Sequence, residues 1–467
     1  MRTGELITLF RKEFWYRAVS FCLDSDTELY IVGGALRDGL LGKASREIDL
    51  VFRSPPFSFP LRFASEIGGK AVILGKDRKT IRVVKRPFIF DFTSINGSGI
   101  IEDLLHRDFT MNSLGFNVRD EQFFDPLGGL DDIKSGVIKV NSPQSFDSDP
   151  IRLLRAFRFK SALGFKIEGY TKKLIEAKSK ALFPWKLSPK ERIAEEWKKF
   201  LLGKNFYPAL KDMADTGYLE RLFPAFRLMK GMSQGSYHHL DAFNHSLKVV
   251  EALEDLLFDP PPWAGEKYLD SKVGYFKRRE LLRLGGLLHD VGKPFCFRLK
   301  EGEANFRGHQ FIGAKIAYGY SRALLLNYRE RDFIYRLVYN HMMPLLFLKR
   351  EKAWRPWERS LLSWLMRVGE DALGVFLLSL ADLMATRGIK VSDEDRSLLV
   401  QIGERVKRYL DKMFGVKPLL SGREIMALTG LREGKEIGTI KERILYLQKM
   451  GKLRTKDEAL KKILGII

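Results

Sequence analysis

Two carboxylates, Glu47 and Asp49, lie two residues apart in an otherwise apolar run. If this run is a strand, the two side chains point to the same face, because residues i and i+2 of a strand do so. Carboxylates that share a face repel each other unless a cation lies between them, and Mg²⁺ suits carboxylate and phosphate oxygens. The pattern therefore predicts a Mg²⁺ site. The alternative is an edge strand with a solvated acidic face.

A third acid, Asp91, lies among aromatic residues in the run 88–93. An unpaired charge is costly in so apolar a strand, so we expect a neighbouring strand to bring Asp91 to Glu47 and Asp49. Three carboxylates can hold two metal ions, of which one lowers the pKa of an attacking hydroxyl and the other holds a triphosphate.

Two glycines, Gly33 and Gly34, separate a predicted strand from a predicted helix that carries Arg37 in its first turn. Glycine lets the backbone approach a ligand closely, and a helix N-terminus offers free N–H groups to an anion. The segment therefore predicts a phosphate site with Arg37 facing the phosphate oxygens. An ordinary glycine turn is the alternative.

These candidate residues lie on two kinds of predicted element. Residues 29–140 alternate short β-branched runs with turns and amphipathic pieces, which is typical of a mixed α/β domain. From about 141 onward, apolar residues recur at helical spacing, with a proline-rich loop over 258–275 and short glycine-broken helices from about 418. The predicted fold class is α+β, a mixed-sheet head followed by helical parts. Helices are predicted over 151–159, 190–202, 240–257, 280–288 and 333–338.

The composition limits the function classes. The chain has 467 residues, with 80 Lys and Arg against 58 Asp and Glu, a net charge of +22. Such a surplus predicts a polyanionic partner, either a nucleic acid or an acidic membrane surface. The two cysteines leave no disulfide framework or CxxC zinc site, which fits a reducing cytoplasm. The N-terminal residues lack a signal-peptide pattern, and the longest apolar stretch, 372–385, is too short to span a bilayer.

Five short motifs follow one another in the first third of the chain. They read Gly33-Gly34-x-x-Arg37-Asp38, Glu47-x-Asp49, Arg107-Asp108-Phe-Thr-Met-Asn112, Asp125-Pro-x-Gly-Gly129 and Asp149-Pro-x-Arg152-x-x-Arg155-x-x-Arg158. In this order they resemble the class II tRNA nucleotidyltransferases (CCA-adding enzymes) and bacterial poly(A) polymerases, members of the polymerase β-like superfamily. The resemblance implies a nucleotidyltransferase head over 1–140, a helical neck with a base-reading template over 141–230, an HD-type body over 231–400 and a tRNA-binding tail over 401–467.

The resemblance also implies a role for each motif. Glu47, Asp49 and Asp91 would be the catalytic Mg²⁺ ligands, and the motif that begins at Arg107 would hold the ribose. The implied nucleotide-binding set is Gly33, Gly34, Arg37, Arg107, Asp108, Asn112, Asp149, Arg152, Arg155 and Arg158.

Within that set, the resemblance assigns the reading of the incoming base to Asp149 and Arg152. Their spacing of three predicts one helical turn between them on one face. An aspartate accepts from the exocyclic amine of C or A, and an arginine donates to the neighbouring ring nitrogen. U and G present the opposite pattern and would leave buried groups unpaired. Arg155 and Arg158 continue the ridge and are expected to contact phosphate or base.

Six of the seven histidines lie between residues 238 and 341. The adjacent His-Asp pair, with an earlier histidine and a later aspartate, resembles the metal pattern of the HD superfamily. The implied ligands are His245, His289, Asp290, His309, His341 and Asp382. Imidazole with carboxylate suits Mn, Fe, Ni, Co or Zn. The site implies phosphodiesterase or phosphatase activity on cyclic phosphates at tRNA ends, or a vestigial metal in a tRNA-holding body. The alternative is histidines that satisfy local hydrogen bonds.

Three substitutions and one short connection depart from the family pattern. Glu47 stands where aspartate is usual, Ser148 stands where the template motif begins with glutamate, and His106 replaces an arginine. The connection 94–101 has only eight residues. A connection this short resembles that of the CC-adding members, which stop after two cytidines. Full CCA-adding enzymes have a longer loop there.

A further motif, Ser188-Pro-x-Glu191-Arg192, also matches the family. Ser188 predicts a helix N-cap with proline at the first helical position, and Glu191 would complete a capping box. We interpret this motif as scaffold and not as catalytic machinery.

The sequence therefore predicts a template-independent nucleotidyltransferase that adds CMP, as CC or as CCA, to tRNA 3′ ends from CTP and ATP with Mg²⁺. A poly(A) polymerase that adds AMP to RNA 3′ ends shares nearly every motif and is the alternative enzyme. A tRNA-binding protein with an inactive head is the alternative outside the enzymes. The expected partners are the tRNA acceptor end and elbow, CTP and ATP, with no membrane.

Overall fold

The structure is a computed structural model that describes residues 3–53, 58–74, 80–181, 183–235, 240–300, 303–354, 356–386, 392–414, 418–449 and 452–465. The chain divides into two compact units, Met1–Leu222 and Phe223–Ile467. The first unit contains a mixed sheet with helices. The described residues of the second are helical apart from two small hairpins. The α+β class predicted from the sequence is confirmed.

One seven-stranded sheet dominates the first unit. Its strands are β1 (Glu28–Val32), β2 (Glu47–Arg53), β3 (Lys70–Leu74), β4 (Thr80–Lys85), β5 (Phe88–Ser94), β6 (Gly115–Asn117) and β7 (Phe123–Phe124). They follow the order β3-β4-β5-β2-β1-β6-β7 across the sheet. β2 and β5 are parallel neighbours, and the other neighbouring pairs are antiparallel. A separate short pair joins β8 (Val137–Ile138) and β9 (Lys166–Ile167).

The register between β2 and β5 determines where the acids lie. Asp49 stands opposite Asp91 across the parallel pair, and Glu47 precedes Asp49 by two residues on β2. The alternating residues Ile48 and Phe90 are fully buried. A slip of one residue would exchange the two faces and bury the acids, so the apolar alternation specifies this register.

The helices of the first unit include two of those predicted from apolar spacing, over 151–159 and 190–202. Their bounds are α1 (Thr3–Lys12), α2 (Phe14–Cys22), α3 (Gly34–Leu40), α4 (Ser58–Glu66), α5 (Ile100–Leu105), α6 (Gly129–Ser135), α7 (Ser145–Ser148), α8 (Ile151–Leu163), α9 (Gly169–Ala181), α10 (Pro184–Leu187), α11 (Lys190–Leu201), α12 (Phe206–Asp215) and α13 (Leu219–Leu222). α8 packs against α11 and α12.

The capping box predicted at Ser188 is wrong. Pro189 takes an extended conformation, with ψ of 137°, and α11 begins only at Lys190 without a side-chain cap. The Ser188 hydroxyl is buried and has no hydrogen-bond partner among the described residues. Since the proline occupies the N-cap position itself, the serine lies one residue too far from the helix to cap it.

The second unit is built from helices. They are α14 (Phe226–Met229), α15 (Ala242–Phe258), α16 (Glu266–Leu269), α17 (Arg278–Leu288), α18 (Lys293–Cys296), α19 (His309–Ala323), α20 (Tyr328–Asn340), α21 (Met342–Lys352), α22 (Glu358–Val368), α23 (Asp371–Ala385), α24 (Asp393–Phe414), α25 (Gly422–Thr429), α26 (Lys435–Lys449) and α27 (Lys456–Leu464). The two hairpins pair β10 (Lys272–Val273) with β11 (Phe276–Lys277) and β12 (Arg298–Lys300) with β13 (Glu303–Asn305).

Two apolar centres hold these helices. α23 is apolar almost all round and is buried against α15, α17 and α20. The last three helices pack around a small cluster of their own that includes Ile425, Ile444 and Ile463. The predicted loop over 258–275 contains the one-turn helix α16 and a 3₁₀ turn at Pro262–Ala264. Within the described part of the chain, every helix is too short or too polar to cross a bilayer.

Candidate active site and metal centre

The three predicted acids Glu47, Asp49 and Asp91 line one pocket of the first unit, about 460 Å³ in volume and here called the head pocket. The same pocket is lined by most of the predicted nucleotide-binding set, namely Gly33, Gly34, Arg37, Arg107, Asp108, Asn112, Arg155 and Arg158. Asp149 and Arg152 are not among its lining residues, although Arg192, which contacts Asp149, is.

Asp49 is close to the two other acids, Glu47 and Asp91. Burial raises the pKa of the Asp49 carboxyl, Arg107 opposes this, and the neighbouring Asp91 and Glu47 raise it further. A carboxylate that carries this electrostatic penalty favours a nearby cation. Three oxygen-donor carboxylates beside a pocket for phosphates fit Mg²⁺.

Arg82 holds Asp91, a contact that sequence reasoning missed. Arg82 lies on β4 directly opposite Asp91, and its guanidinium donates two hydrogen bonds to the carboxylate, at 2.8 and 2.7 Å. A basic residue in the run 80–85 carries no such signal until β4 is known to pair with β5. The third acid is therefore already neutralised by a protein cation.

The glycine turn approaches the acids closely. Gly33 has φ of 67°, and a Cβ there would lie 2.9 Å from Arg107 Nη1 and 3.6 Å from Asp49 Oδ2. Arg37, predicted to face phosphate, is instead largely buried: it donates to Asn112 Oδ1 at 2.6 Å and pairs with Asp38 at 2.7 Å. The turn shapes the pocket, and Arg37 connects it to the ribose motif.

A buried ion-pair network organises the ribose motif. Asp108 accepts from Asn112 Nδ2 at 2.9 Å and from Arg155 Nε at 2.7 Å. Burial by itself would raise the pKa of Asp108, but Arg155 and the hydrogen bond from Asn112 outweigh it and lower the pKa to about 2. Arg158 pairs with Glu196 at 2.8 Å and lies 3.6 Å above the Phe159 ring. Arg155 and Arg158 are therefore engaged by protein groups.

The two residues predicted to read the base lie one turn apart, but Asp149 is just outside the helix. The Arg152 backbone N–H donates to the Asp149 carbonyl oxygen at 3.0 Å, while Asp149 itself has an extended backbone before Pro150 and α8 begins at Ile151. The proline explains this, because the residue before a proline is disfavoured in the helical region. Arg152 donates to the His106 carbonyl oxygen at 2.8 Å and to Ser145 Oγ at 2.8 Å.

Arg192, assigned to scaffold from the sequence, pairs with Asp149 instead. Its two terminal nitrogens donate to the two carboxylate oxygens at 3.1 and 2.7 Å. A bidentate arginine presents donors to both oxygens of an aspartate. The pair connects the start of α8 to α11, and Arg192 also lines the head pocket.

The six residues of the predicted HD site come together in the second unit, here called the histidine–aspartate centre. They are His245, His289, Asp290, His309, His341 and Asp382. The Asp290 oxygens lie 3.1, 3.2, 3.8 and 3.8 Å from the Nε2 atoms of His289, His309, His245 and His341. Asp382 Oδ1 lies 2.9 Å from His245 Nε2. Two groups of three ligand atoms, each within 4.8 Å, share Asp290.

The backbone determines which ring nitrogens face this centre. Nδ1 of His289, His309 and His341 lies 2.8, 3.0 and 2.7 Å from a carbonyl oxygen three residues earlier. An Nδ1–H donor leaves the Nε2 lone pair directed inward, as metal ligation requires. Burial lowers the pKa of His341 to about 3, so its ring is neutral. His289 Nε2 is buried without a well-directed hydrogen bond in the described part of the chain. The donors fit a divalent transition metal.

A cavity of about 550 Å³ opens beside the centre. Lys293 lies at its edge, 2.6 Å from Asp290 Oδ2 and 2.5 Å from Gln234 Oε1. Burial acts to raise the pKa of Asp290, yet His289 and Lys293 hold it well below its usual range. His238 and His239, the remaining members of the predicted histidine cluster, lie outside the described residues.

Comparison with family models gives three matches. The "Poly A polymerase head domain" matches residues 29–100 and 96–139, the "Probable RNA and SrmB- binding site of polymerase A" matches 164–229, and the "HD domain" matches 242–383. The first match includes the three acids, the glycine turn and the ribose motif, and the third includes all six residues of the histidine–aspartate centre.

Two curated relatives are similar over nearly their whole length. An A-adding tRNA nucleotidyltransferase of Deinococcus radiodurans is 31% identical, covering 92% of this chain and 93% of the relative. A CC-adding tRNA nucleotidyltransferase of Thermus thermophilus is 31% identical, covering 92% of each chain. The fold is also similar to that of a CCA-adding enzyme in complex with CTP, with 22% sequence identity and a TM-score of 0.62, covering 96% of this chain and 97% of that one. The Thermotoga maritima CCA-adding enzyme in complex with tRNA has 22% sequence identity and a TM-score of 0.60, covering 99% of this chain and 95% of that one.

Proposed function

The chain belongs to the tRNA nucleotidyltransferase family, and we propose that within it this protein adds two CMP residues to tRNA 3′ ends and stops before the terminal A. The observation that carries this proposal is the connection between β5 and α5, which spans only residues 95–99. A connection of only five residues, which leads through α5 to the pocket residue Arg107, offers little chain for a rearrangement that would change nucleotide specificity. Relatives that add CC and relatives that add A are equally identical to the chain, so overall similarity does not favour either activity.

The proposed transfer takes place in the head pocket. The 3′ oxygen of tRNA forms a bond to the α-phosphorus of CTP, the bond from that phosphorus to the bridging oxygen breaks, and pyrophosphate leaves. The hydroxyl proton passes to solvent or to a pocket carboxylate. Mg²⁺ held by Glu47, Asp49 and Asp91 would supply Lewis acidity and charge neutralisation. Arg107, beside Asp49, adds positive charge on the same side of the pocket.

The sugar contacts come from the head and the base contacts from the neck. The Asp108–Asn112 pair, fixed by Arg155, presents polar groups for the ribose. Asp149 and Arg152 read the base, and the Asp149 oxygens that accept from Arg192 here would accept the exocyclic amine of cytosine. A base that lacks this amine offers no donor to the partly exposed Asp149 carboxylate, and that hydrogen bond is lost.

Incorporation into three tRNAs tests this proposal. The substrates end before the first C, after C and after CC, and each is incubated with labelled CTP, with labelled ATP and with both. The proposal predicts CMP addition to the first two substrates and no AMP addition to the third. Efficient AMP addition after CC would show a CCA- or A-adding enzyme, and long AMP tails on any RNA would show a poly(A) polymerase.

The histidine–aspartate centre favours a second activity, hydrolysis of a phosphodiester such as a 2′,3′-cyclic phosphate at an RNA end. The supporting observation is the two groups of ligand atoms that share Asp290 beside a cavity. Water oxygen bonds to phosphorus, the bond to one ribose oxygen breaks, and that oxygen takes the proton. A divalent metal held there would supply Lewis acidity. Lys293 would offset phosphate charge.

Replacement of the ligands tests the second activity. His289→Ala and Asp290→Ala are expected to abolish metal-dependent hydrolysis of a cyclic phosphate and to leave CMP incorporation unchanged. His106→Ala, which removes the histidine of the first unit, is the matched control. Hydrolysis retained by both ligand variants would contradict the assignment.

A further inference from the structure

Two helices beside the histidine–aspartate centre carry aromatic and basic residues in stripes. The members on α19 are Phe311, Lys315, Tyr318 and Arg322, and those on α20 are Tyr328, Arg331, Tyr335 and Tyr339. Spacings of three and four residues place each stripe on one face of its helix. The two helices pack against each other along their length.

The stripes meet as a continuous row of four rings, here called the aromatic row: Phe311, Tyr339, Tyr335 and Tyr318. Successive ring centroids lie 5.1, 5.6 and 6.4 Å apart. Arg331 extends the row, with its guanidinium 5.1 Å from the Tyr318 centroid. The row is accessible, because Phe311 is 46% and Tyr339 is 40% exposed.

One end of the row lies at the rim of the cavity beside the centre. Gly308 lines this cavity, and a Cβ on Gly308 would lie 3.8 Å from Cδ2 of Phe311. The exposed Met342 also lines it and follows Tyr339 by three residues, about one helical turn. A polymer that lies on the row would therefore have its end at the cavity.

We propose that the aromatic row binds single-stranded RNA and directs the terminal phosphate of that strand into the histidine–aspartate centre. Proteins commonly bind single-stranded nucleic acids with aromatic rings interleaved with cations. Every base has a face that stacks on a ring, and the cations attract the phosphate backbone. Lys315 and Arg322 are exposed on the same stripe as Phe311. The facing helix carries two acids: Glu330 caps its N-terminus and is buried, and Asp332 is paired with Arg336 at 2.9 Å. The row therefore presents positive charge to a phosphate backbone.

Substrate length separates the row from the centre. A mononucleotide, cytidine 2′,3′-cyclic phosphate, reaches only the cavity, whereas an unstructured oligocytidylate with the same terminal group also covers the row. The double variant Phe311→Ala/Tyr339→Ala is expected to raise KM for the oligonucleotide about tenfold or more and to leave kcat and the mononucleotide KM unchanged. Tyr339→Phe retains stacking and is expected to behave as wild type. Phe258→Ala, which removes a ring 91% exposed on α15, is the control.

Crosslinking tests the row independently, because directed delivery to the centre rests on the hydrolytic function proposed above. A 4-thiouridine-containing single strand is irradiated with the full chain, and the linked residues are mapped by mass spectrometry. Links to α19 and α20 that disappear in the double variant support RNA binding even if the centre hydrolyses nothing. Equal oligonucleotide KM in wild type and double variant, or no links to either helix, would overturn the proposal. So would a row buried by self-association, seen as a dimer that the double variant abolishes.

Discussion

The head pocket and the histidine–aspartate centre place their acids among different partners. In the head pocket, Arg82 pairs with Asp91 and Arg107 lies beside Asp49. In the second unit, Asp290 pairs with Lys293 at 2.6 Å but is otherwise surrounded by imidazole nitrogens, and the opposite ring nitrogens are held by backbone carbonyl oxygens. Arginine neutralises a carboxylate but cannot ligate a metal, whereas a neutral imidazole can do so directly.

The difference shows how much of each site the protein completes by itself. Among the described residues, the groups of three ligand atoms that lie within 4.8 Å of one another are both in the histidine–aspartate centre. We propose that this centre needs only a metal ion. The lining of the head pocket is polar, and arginines partly neutralise its acids. We therefore propose that the head site is completed when Mg²⁺ and a nucleotide arrive together.

The largest expected effect is on the head acids. Asp49→Asn removes the carboxylate that lies close to both other acids, Glu47 and Asp91. We expect CMP incorporation to fall about a thousandfold, or ~4 kcal/mol in transition-state stabilisation. tRNA affinity and cyclic-phosphate hydrolysis are expected to stay at wild-type levels. Labelled-CTP incorporation and filter binding measure the two quantities.

Asp131→Asn, at a surface position 84% exposed, is the matched control for this change. If Asp49→Asn kept more than a tenth of the wild-type incorporation rate, the assignment of the acids to catalysis would be lost. If it abolished hydrolysis as well, the two sites would not be separate.

The next effect concerns stability of the first unit. The folded-state pKa of Asp108 is lowered to about 2 from 3.8, so its ion pair stabilises the fold above the unfolded-state pKa. This contribution, roughly 2 kcal/mol, is lost as the pH falls from about 4 to about 2. Asp108→Asn is therefore expected to destabilise the unit at pH 7, with a difference from wild type that shrinks toward pH 2. Amide hydrogen exchange of α8 and β6 measures this difference in stability. The control Asp131→Asn is expected to have the stability of wild type. A pH-independent difference would contradict the role of the charge.

The smallest effect is expected from replacing Arg82, which competes with Mg²⁺ for the carboxylate of Asp91. Arg82→Ala frees Asp91, and we expect the Mg²⁺ concentration that gives half-maximal CMP incorporation to fall about threefold, because the pair is partly exposed and worth about 1 kcal/mol or less. Arg82→Lys is expected to lie between the two. Arg53→Ala on β2, outside the pocket, serves as the control. An increased Mg²⁺ requirement would show that Arg82 instead holds Asp91 in the geometry that the metal needs.

The sequence predicted which residues meet better than it predicted how they are held. Spacing on strands and the family motifs were enough to expect Glu47, Asp49 and Asp91 together, and the same is true of the six histidine and aspartate residues. Arg82 and Arg192 were missed because their partners are set by strand order and by the packing of α8 on α11, which short-range patterns do not encode. The error at Ser188 has a local cause: Pro189 takes the N-cap position, so α11 begins one residue later than the predicted capping box requires. A proline likewise keeps Asp149 in an extended conformation outside α8.

The net charge of +22 also has a more specific interpretation. Part of the positive charge lies inside the first unit, where arginines at positions 37, 82, 155 and 158 are paired with acids. Lys315 and Arg322 are instead exposed beside the aromatic row. Since paired arginines are not available to phosphate groups, exposed cations of this second kind are expected to set the salt dependence of RNA binding.

Metal retention tests most directly the central claim that the protein assembles one site and leaves the other to be completed by substrate. Wild type, Asp49→Asn and His289→Ala are loaded with Ni²⁺, passed through gel filtration without nucleotide and analysed for metal per chain by mass spectrometry. We expect equal metal in wild type and Asp49→Asn and a large loss in His289→Ala. Metal lost from Asp49→Asn, or retained in His289→Ala, would contradict it.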